Sequence, residues 1–141
     1  MLKSRGFTLV ELIIVIAIIS ILVTMVIIAI DPIRVINDSR DTKKRSELNQ
    51  VKTSLQLYFN ENNRYPDPSE MGTGGSVPFV DTYMRQLPAE WATNYSYGSS
   101  GADYDAAVTL ANPDTSDEAS EANCTADGAN GVGGDFWVCP D

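Results

Sequence analysis

The longest apolar stretch in the sequence runs from Leu12 to Ile30 and contains two polar residues, Ser20 and Thr24. An α-helix rises about 1.5 Å per residue, and about 20 apolar residues are needed to span the hydrocarbon core of a bilayer. The stretch is therefore long enough to cross a membrane as one helix. Glu11 stands at its start, and an acid in a span costs on the order of 3 kcal/mol at mid-depth and less near an end. Some interaction must offset that cost.

The segment before the apolar stretch is short and basic, with Lys3 and Arg5 ahead of Gly6. Positive residues in front of an apolar helix stay in the cytoplasm, so we expect the rest of the chain to be exported. A cleaved secretory signal fits poorly, because the stretch is too long for a signal core and no A-x-A-like site follows it. A plain signal anchor fits the length but leaves Glu11 and the Gly6-Phe7 pair unexplained.

The residues RGFTLVEL, from Arg5 to Leu12, resemble the prepilin leader junction of the type IV filament superfamily. That family comprises type IV pilins and the pseudopilins of type II secretion and of competence. Its pattern is a short basic leader ending in Gly, then Phe, Thr, apolar residues, Glu and a long apolar helix. The resemblance implies that a membrane-embedded prepilin peptidase cuts after Gly6 and that Phe7 becomes an N-methylated terminus.

Such processing would explain the acid in the apolar stretch. A cut after Gly6 creates a positive amine on Phe7, one helical turn before Glu11, and methylation keeps that charge. A charge pair interacts far more strongly in a low dielectric than in water, and a lone buried charge is strongly unfavourable. Glu11 is thus predicted to form an assembly salt bridge with its own amine or with that of a neighbouring subunit. The alternative is a tolerated acid that reaches the lipid headgroups.

Asp31 and Pro32, which follow the apolar stretch, predict a helix kink. Proline removes a backbone donor, and Asp31 is a residue type that caps a new helical segment. From residue 33 to residue 61 apolar residues recur at three- and four-residue spacing, which predicts an amphipathic helix. We therefore expect one long helix from Phe7 to about Glu61, bent near Pro32.

The remaining residues predict a small exported head. TNYSY, DYDAAVTLA and DFWVC alternate well enough to be antiparallel strands, and VDTYMRQLP is predicted as a short helix. The acidic stretch from Asn112 to Asp135 is predicted as a long loop. The expected fold class is α+β, a pilin-like fold with a long N-terminal helix, membrane half plus amphipathic half, packed on a small antiparallel sheet.

Three domains follow from these boundaries. Residues 1–6 are the predicted leader, residues 7–30 the transmembrane and filament-core helix, and residues 31–141 the exported head. The head would comprise the amphipathic helix at 33–61, a loop, the small sheet and a disulfide-bounded C-terminal loop.

The two cysteines, Cys124 and Cys139, are predicted to form a disulfide, because an even pair in an exported segment is usually oxidised. The alternative is two unpaired buried thiols. A zinc site is disfavoured because the chain contains no histidine. DTSDE and DGANGVGGD offer oxygen ligands for Ca²⁺ without the spacing of a calcium loop, so Ca²⁺ stays an alternative and no cofactor is predicted.

Charge is unevenly distributed along the chain. The net charge is −9, and no Lys or Arg follows Arg85. This acidic C-terminal half argues against direct nucleic-acid binding, because phosphates would be repelled. The charged patch at residues 40–47 mixes signs four residues apart, as in Asp41 and Arg45, which favours a solvated face, with contacts between filament neighbours as the next choice.

These observations favour a structural subunit of a type IV pilus-type filament, without enzymatic activity, that serves adhesion, motility or DNA uptake. The alternative is a type II secretion pseudopilin, which the helix end LYFNENNRYP also resembles. Either would be a single-pass inner-membrane protein before assembly; the pilin would then join a cell-surface filament. The resemblance implies further copies, prepilin peptidase, an assembly ATPase and platform proteins as partners. A membrane-anchored ectodomain that binds a ligand or acts as an enzyme is the third alternative.

Overall fold

The computed structural model describes residues 7–72, 78–124 and 133–140. The chain divides into two compact units, Met1–Ile36 and Asn37–Asp141. The elements in chain order are α1 (Leu9–Ala29), α2 (Pro32–Asn62), a 3₁₀ turn (Pro68–Glu70), α3 (Trp91–Asn94), β1 (Tyr95–Ser99), β2 (Tyr104–Val108), α4 (Thr115–Cys124) and β3 (Phe136–Val138). The predicted α+β class, with an N-terminal apolar helix and a small antiparallel sheet, is confirmed.

Helix α1 is apolar on all sides, and none of its residues is buried. Within the described ranges it is one helix that is long and apolar enough to cross a membrane. Its two hydroxyls are bonded inside the helix, since Ser20 Oγ donates to the carbonyl of Ile16 at 2.7 Å and Thr24 Oγ1 to that of Ser20 at 2.8 Å. Because a polar group that is already hydrogen-bonded costs little to bury, these hydroxyls do not oppose insertion into lipid or contact with other helices.

The predicted continuous helix is interrupted between α1 and α2. Pro32 has no N–H to donate into the preceding turn, so the helical ladder cannot continue through it. The Asp31 carboxylate instead accepts the backbone N–H groups of Ile33 at 3.1 Å and of Arg34 at 3.3 Å. Helix α2 therefore begins with its own N-cap and with proline in its first turn, and the chain has two helices where the sequence predicted one bent helix.

The three strands form an antiparallel sheet in the order β1-β2-β3, as the predicted meander requires. Strand β2 is central and buried along its whole length. The buried apolar side chains of α2 recur at helical spacing, so they share one face of the helix. This face packs on one face of the sheet. The core between them contains Leu48, Val51, Leu55, Tyr58, Tyr95, Tyr104, Ala106, Val108 and Val138.

Helix α4 was missed by the sequence analysis, which predicted a loop there. Ala107 points to the sheet face opposite Ala106 and packs with Cys124 and Trp137. The helix starts at a cap, since Asp114 Oδ1 accepts the backbone N–H of Ser116 at 2.8 Å. An Asp followed by a Ser- and acid-rich first turn is an N-terminal helix signature that the loop prediction overlooked.

The predicted short helix in VDTYMRQLP is also wrong. The segment forms a turn in which the N–H of Asp81 donates to the carbonyl of Met84 at 2.7 Å. Asp81 has a φ of 73°, which lies in the left-handed region and is incompatible with an α-helix. Apolar spacing alone could not show this backbone conformation.

Candidate processing and assembly site

The predicted cleavage junction lies directly before α1. Gly6 falls outside the described residues, whereas Phe7 is described and its side chain is 70% exposed. Thr8 is the N-cap of α1, with an extended backbone and a hydroxyl that accepts the N–H of Glu11 at 3.2 Å. The helix therefore begins immediately after the junction, and Phe7 lies just before it.

Glu11 lies in the first turn of α1 and is exposed. The N-terminus of a helix carries a partial positive charge, so a carboxylate is favourable there even before any amine is released. Among the described residues, no cation stands within ion-pair distance of Glu11, so its carboxylate is open to a partner from another molecule. The sequence analysis did not predict the capping role of Thr8, although T-x-x-E is the pattern of a helix capping box.

The head carries a second polar arrangement, which joins α2 to the segment after β2; we call Asp41, Lys44 and Arg45 the polar clamp. Asp41 is 1% exposed, and its carboxylate accepts the N–H of Ala111 at 3.0 Å and that of Asn112 at 2.8 Å. The predicted solvated face is thus wrong at Asp41. Spacing along one helix does not show which side chains the distant segment covers.

Arg45 completes the polar clamp by binding Asp117 through two nitrogens. Its Nε lies 2.8 Å from Oδ1 and its Nη2 2.5 Å from Oδ2, and Asp117 is 1% exposed. The hydrogen-bonded guanidinium lowers the pKa of Asp117 and the carboxylate raises the pKa of Arg45. Lys44 adds a bond from Nζ to the carbonyl of Thr109 at 2.8 Å. The clamp fixes α4 against α2.

A third charged contact closes the far end of α2. Arg64 donates to both oxygens of Glu70, at 2.7 and 2.8 Å, and the N–H of Asp67 donates to the same carboxylate at 3.0 Å. These bonds, chiefly those from Arg64, lower the pKa of Glu70 to about 2 from 4.5. Since this pKa is depressed in the folded state, the contribution of the pair to stability is complete above pH 4.5 and is lost as the pH falls towards 2.

Glu70→Gln is therefore expected to flatten the acid limb of the stability curve. The melting temperature of the wild-type chain should fall between about pH 5 and pH 2 more steeply than that of the variant. Between about pH 4.5 and pH 2, Glu70 is protonated in the unfolded chain but still ionised in the folded chain. Circular dichroism melts across this range measure the difference. Glu118→Gln, which removes an exposed carboxylate, is the matched control, and equal slopes for Glu70→Gln and wild type would contradict the assignment.

The structure joins Cys124, at the end of α4, to Cys139, just after β3, with Cα atoms 5.5 Å apart. Cys124 is 5% exposed and packs with Ala107 and Trp137. The bond therefore ties α4 to the edge of the sheet. Residues 125–132 of the predicted C-terminal loop lie outside the described ranges.

Cys124→Ala with Cys139→Ala is expected to lower the free energy of unfolding by about 3 kcal/mol, the value for a closed loop of about 15 residues. Urea unfolding of the full chain in detergent, followed by tryptophan fluorescence, measures the loss. Dithiothreitol should shift the wild-type midpoint and leave the double variant unchanged. An identical midpoint for reduced and oxidised wild type would show that the bond contributes nothing.

The two stretches proposed as oxygen donors for Ca²⁺ have different settings. DTSDE starts α4, and Asp117 within it is already bound by Arg45. Most of DGANGVGGD lies outside the described residues. Within the described ranges, no group of three or more acidic or cysteine side chains is placed to hold a metal ion.

The exposed apolar helix, its acid in the first turn, and the small α+β head together define a prepilin-like protein. Residues 1–27 match the family model described as the prokaryotic N-terminal methylation motif. The chain is 32% identical over 107 residues to the type II secretion system core protein G of Pectobacterium carotovorum subsp. carotovorum. This alignment covers 66% of this chain and 65% of that protein. It is 30% identical over 113 residues to the protein of the same name from Dickeya chrysanthemi, covering 70% and 71%.

The chain belongs to the family of type II secretion system core protein G, a pseudopilin family. It spans about two thirds of the length of these relatives, 65% and 71%. No solved structure matches the chain significantly. The comparisons thus support the pseudopilin alternative of the sequence analysis better than its main prediction of a pilus subunit, which they do not specifically support.

Proposed function

We propose that the chain is a structural pseudopilin of a type II secretion system. The observation that carries the proposal is the match to two core G proteins, which extends well beyond the N-terminal motif into the head. In this role the chain waits in the inner membrane with α1 in lipid and then polymerises into a short filament that pushes folded cargo outward. The head performs no catalysis; its function is to occupy a fixed position in that filament.

The geometry of the N-terminus supports this role. Cleavage after Gly6 would release an amine on Phe7, one residue before the Thr8 cap of α1. Phe7 and Glu11 are four residues apart, so the new amine would lie just before the first turn of α1, which carries the open carboxylate. A neighbouring copy at the correct vertical offset would bring its own amine to Glu11. Because both charges leave water when α1 packs among its copies, only an offset that pairs them is favourable.

A pilus subunit is the second candidate, and the disulfide between Cys124 and Cys139 favours it. The disulfide-bounded C-terminal region of this chain resembles that of many pilins, in which the exposed part of this region contacts surfaces or partners outside the cell. In this role the filament would reach the cell surface. Both candidates share the same membrane helix and the same processing step.

Deletion of the gene in its host separates the two candidates. The pseudopilin role predicts that secreted enzymes accumulate in the periplasm and that no surface fibres disappear; complementation should restore secretion. Loss of long surface fibres with normal secretion would establish the pilus role instead. Mass spectrometry of the mature chain tests what both roles require, since a start at methylated Phe7 supports processing and an intact Met1 would refute both.

A further inference from the structure

The first turn of α2, at residues 32–36, exposes three large apolar side chains. Ile33 is 69% exposed, Val35 56% and Ile36 53%. Among the described residues, none of the three belongs to the hydrophobic core of the head. The compact unit that contains α1 extends to Ile36, so this turn groups with the membrane helix and not with the head. The fold of a single copy therefore leaves this apolar surface uncovered.

The apolar side chains of this turn share one side of the helix. At about 100° per residue, Ile33, Val35 and Ile36 fall within a sector of about 160°. Arg34 is exposed on the opposite side of the helix. In the part of the chain that the structure describes, no carboxylate lies within ion-pair distance of the Arg34 guanidinium. An apolar sector opposite a basic residue is the pattern of a helical segment that lies at a membrane surface.

Chain length places this turn close to the lipid. The apolar stretch from Leu12 to Ile30 would be about 29 Å long as a helix, and the hydrocarbon core of a bilayer is about 30 Å thick. Three residues of extended chain reach at most about 11 Å, so Ile33 lies no further than this from the edge of the core. The headgroup layer is about 5–8 Å thick on each side. When α1 spans the bilayer, the turn therefore begins within this layer or just above it.

The acid at the break between the helices is compatible with this position. The Asp31 carboxylate already accepts two backbone N–H groups, that of Ile33 at 3.1 Å and that of Arg34 at 3.3 Å. A hydrogen-bonded polar group costs less to move out of bulk water than a free one. Because Pro32 interrupts the helical ladder, the apolar sector of α2 can face the lipid independently of the direction of α1.

We propose that the first turn of α2 binds the headgroup layer of the membrane that holds α1. Ile33, Val35 and Ile36 enter the boundary between headgroups and acyl chains, and Arg34 stays among the lipid phosphates. The occupant is phospholipid rather than a second copy, because the turn follows the membrane span within a few residues and carries its basic residue opposite the apolar sector. The contact rests on the proposed function, in which α1 waits in the inner membrane, and it must be released when the subunit enters a filament.

Fluorescence quenching by spin-labelled lipid tests this contact in the full chain, reconstituted at low density in vesicles of phosphatidylethanolamine and phosphatidylglycerol. The fluorophore is attached at Ile36→Cys, since both native cysteines are joined in the disulfide. Quenching by lipid that carries a doxyl group near its headgroup should exceed the quenching at Thr53→Cys by about threefold or more. Thr53 is the matched control, because it is exposed on the same helix and lies about 25 Å further along its axis.

A second variant tests whether the apolar sector makes the contact. Ile33→Asn should lower the quenching of the probe at Ile36→Cys by about twofold, because it removes an apolar side chain from the surface that enters the lipid. Leu57→Asn removes another exposed apolar side chain of α2, 52% exposed, and should leave this quenching unchanged. Equal quenching with and without Ile33→Asn would show that the apolar sector does not hold the turn at the lipid.

A probe at Leu22→Cys, in the middle of α1, measures insertion of the membrane helix itself. If Leu22→Cys is quenched while Ile36→Cys and Thr53→Cys are quenched equally, the contact is overturned and the proposed function stands. If Leu22→Cys is not quenched by lipid, α1 is not in the bilayer and both are overturned. Excimer emission from pyrene at Ile36→Cys, in place of quenching by lipid, would assign the surface to a second copy instead.

Discussion

Asp117→Ala is expected to destabilise the head by about 3 kcal/mol, because it removes both hydrogen bonds to the Arg45 guanidinium and leaves that half-buried charge with only Asp114, 3.8 Å away, as an ion-pair partner. Arg45 would keep its charge at a half-covered site, and the N–H of Asp114 would lose the carboxylate oxygen that it now reaches at 2.7 Å. Helix α4 would then be held to the rest of the head by the disulfide, by the packing of Cys124 with Trp137 and by the hydrogen bond from the Trp137 N–H to Ser120 Oγ. Urea unfolding of the full chain in detergent, followed by tryptophan fluorescence, measures the loss.

The matched comparison is Arg45→Met with Asp117→Leu. Replacing both members of a buried pair by apolar residues of similar size is often neutral or stabilising, so the double variant should be more stable than Asp117→Ala. If Asp117→Ala unfolds at the wild-type urea concentration, the polar clamp does not stabilise α4. If the double variant is as unstable as the single one, the loss comes from packing rather than from the stranded charge.

Glu11→Gln is expected to leave cleavage after Gly6 intact and to lower filament yield by at least tenfold, about 1.4 kcal/mol or more per contact. Glutamine keeps the shape of the side chain and removes the charge that would neutralise the Phe7 amine. An unpaired amine among apolar helices is strongly unfavourable, so subunits should stay in the membrane. Mass spectrometry of the N-terminus and the yield of sheared filaments together measure the two effects.

Glu11→Asp is the conservative control, since it keeps the charge and shortens its reach by one methylene. It should assemble better than Glu11→Gln if charge pairing sets the offset between copies. Wild-type yield from Glu11→Gln would show that the carboxylate is dispensable, and uncleaved Glu11→Gln would move its role to recognition by the peptidase.

The sequence predicted those elements whose physics is local. An uninterrupted apolar stretch predicts α1 directly, and Pro32 with Asp31 marks the position where helical bonding stops. Alternation in β1 and β2 is likewise local, and the structure confirms the antiparallel meander. The N-terminal motif depends on order and spacing alone, so the family could be recognised from it.

The errors occurred where a distant segment decides the outcome. Asp41 has the sequence pattern of a surface residue, and only the return of residues 109–117 across α2 buries it. Helix α4 is polar and rich in acids, so its burial depends on Arg45 and the disulfide more than on apolar periodicity. The left-handed backbone at Asp81 likewise has no signature in apolar spacing.

Because α1 has no polar face, its whole circumference must be covered by lipid or by apolar surfaces of other copies. A filament has two ends, and at each end some helices lack part of their surroundings. In the proposed filament the bilayer would cover the helices at the base, so subunits added from the membrane would never expose α1 to water. A sheared filament fragment has exposed apolar helices at its broken end. We expect such fragments to associate end to end or to bind detergent and lipid there.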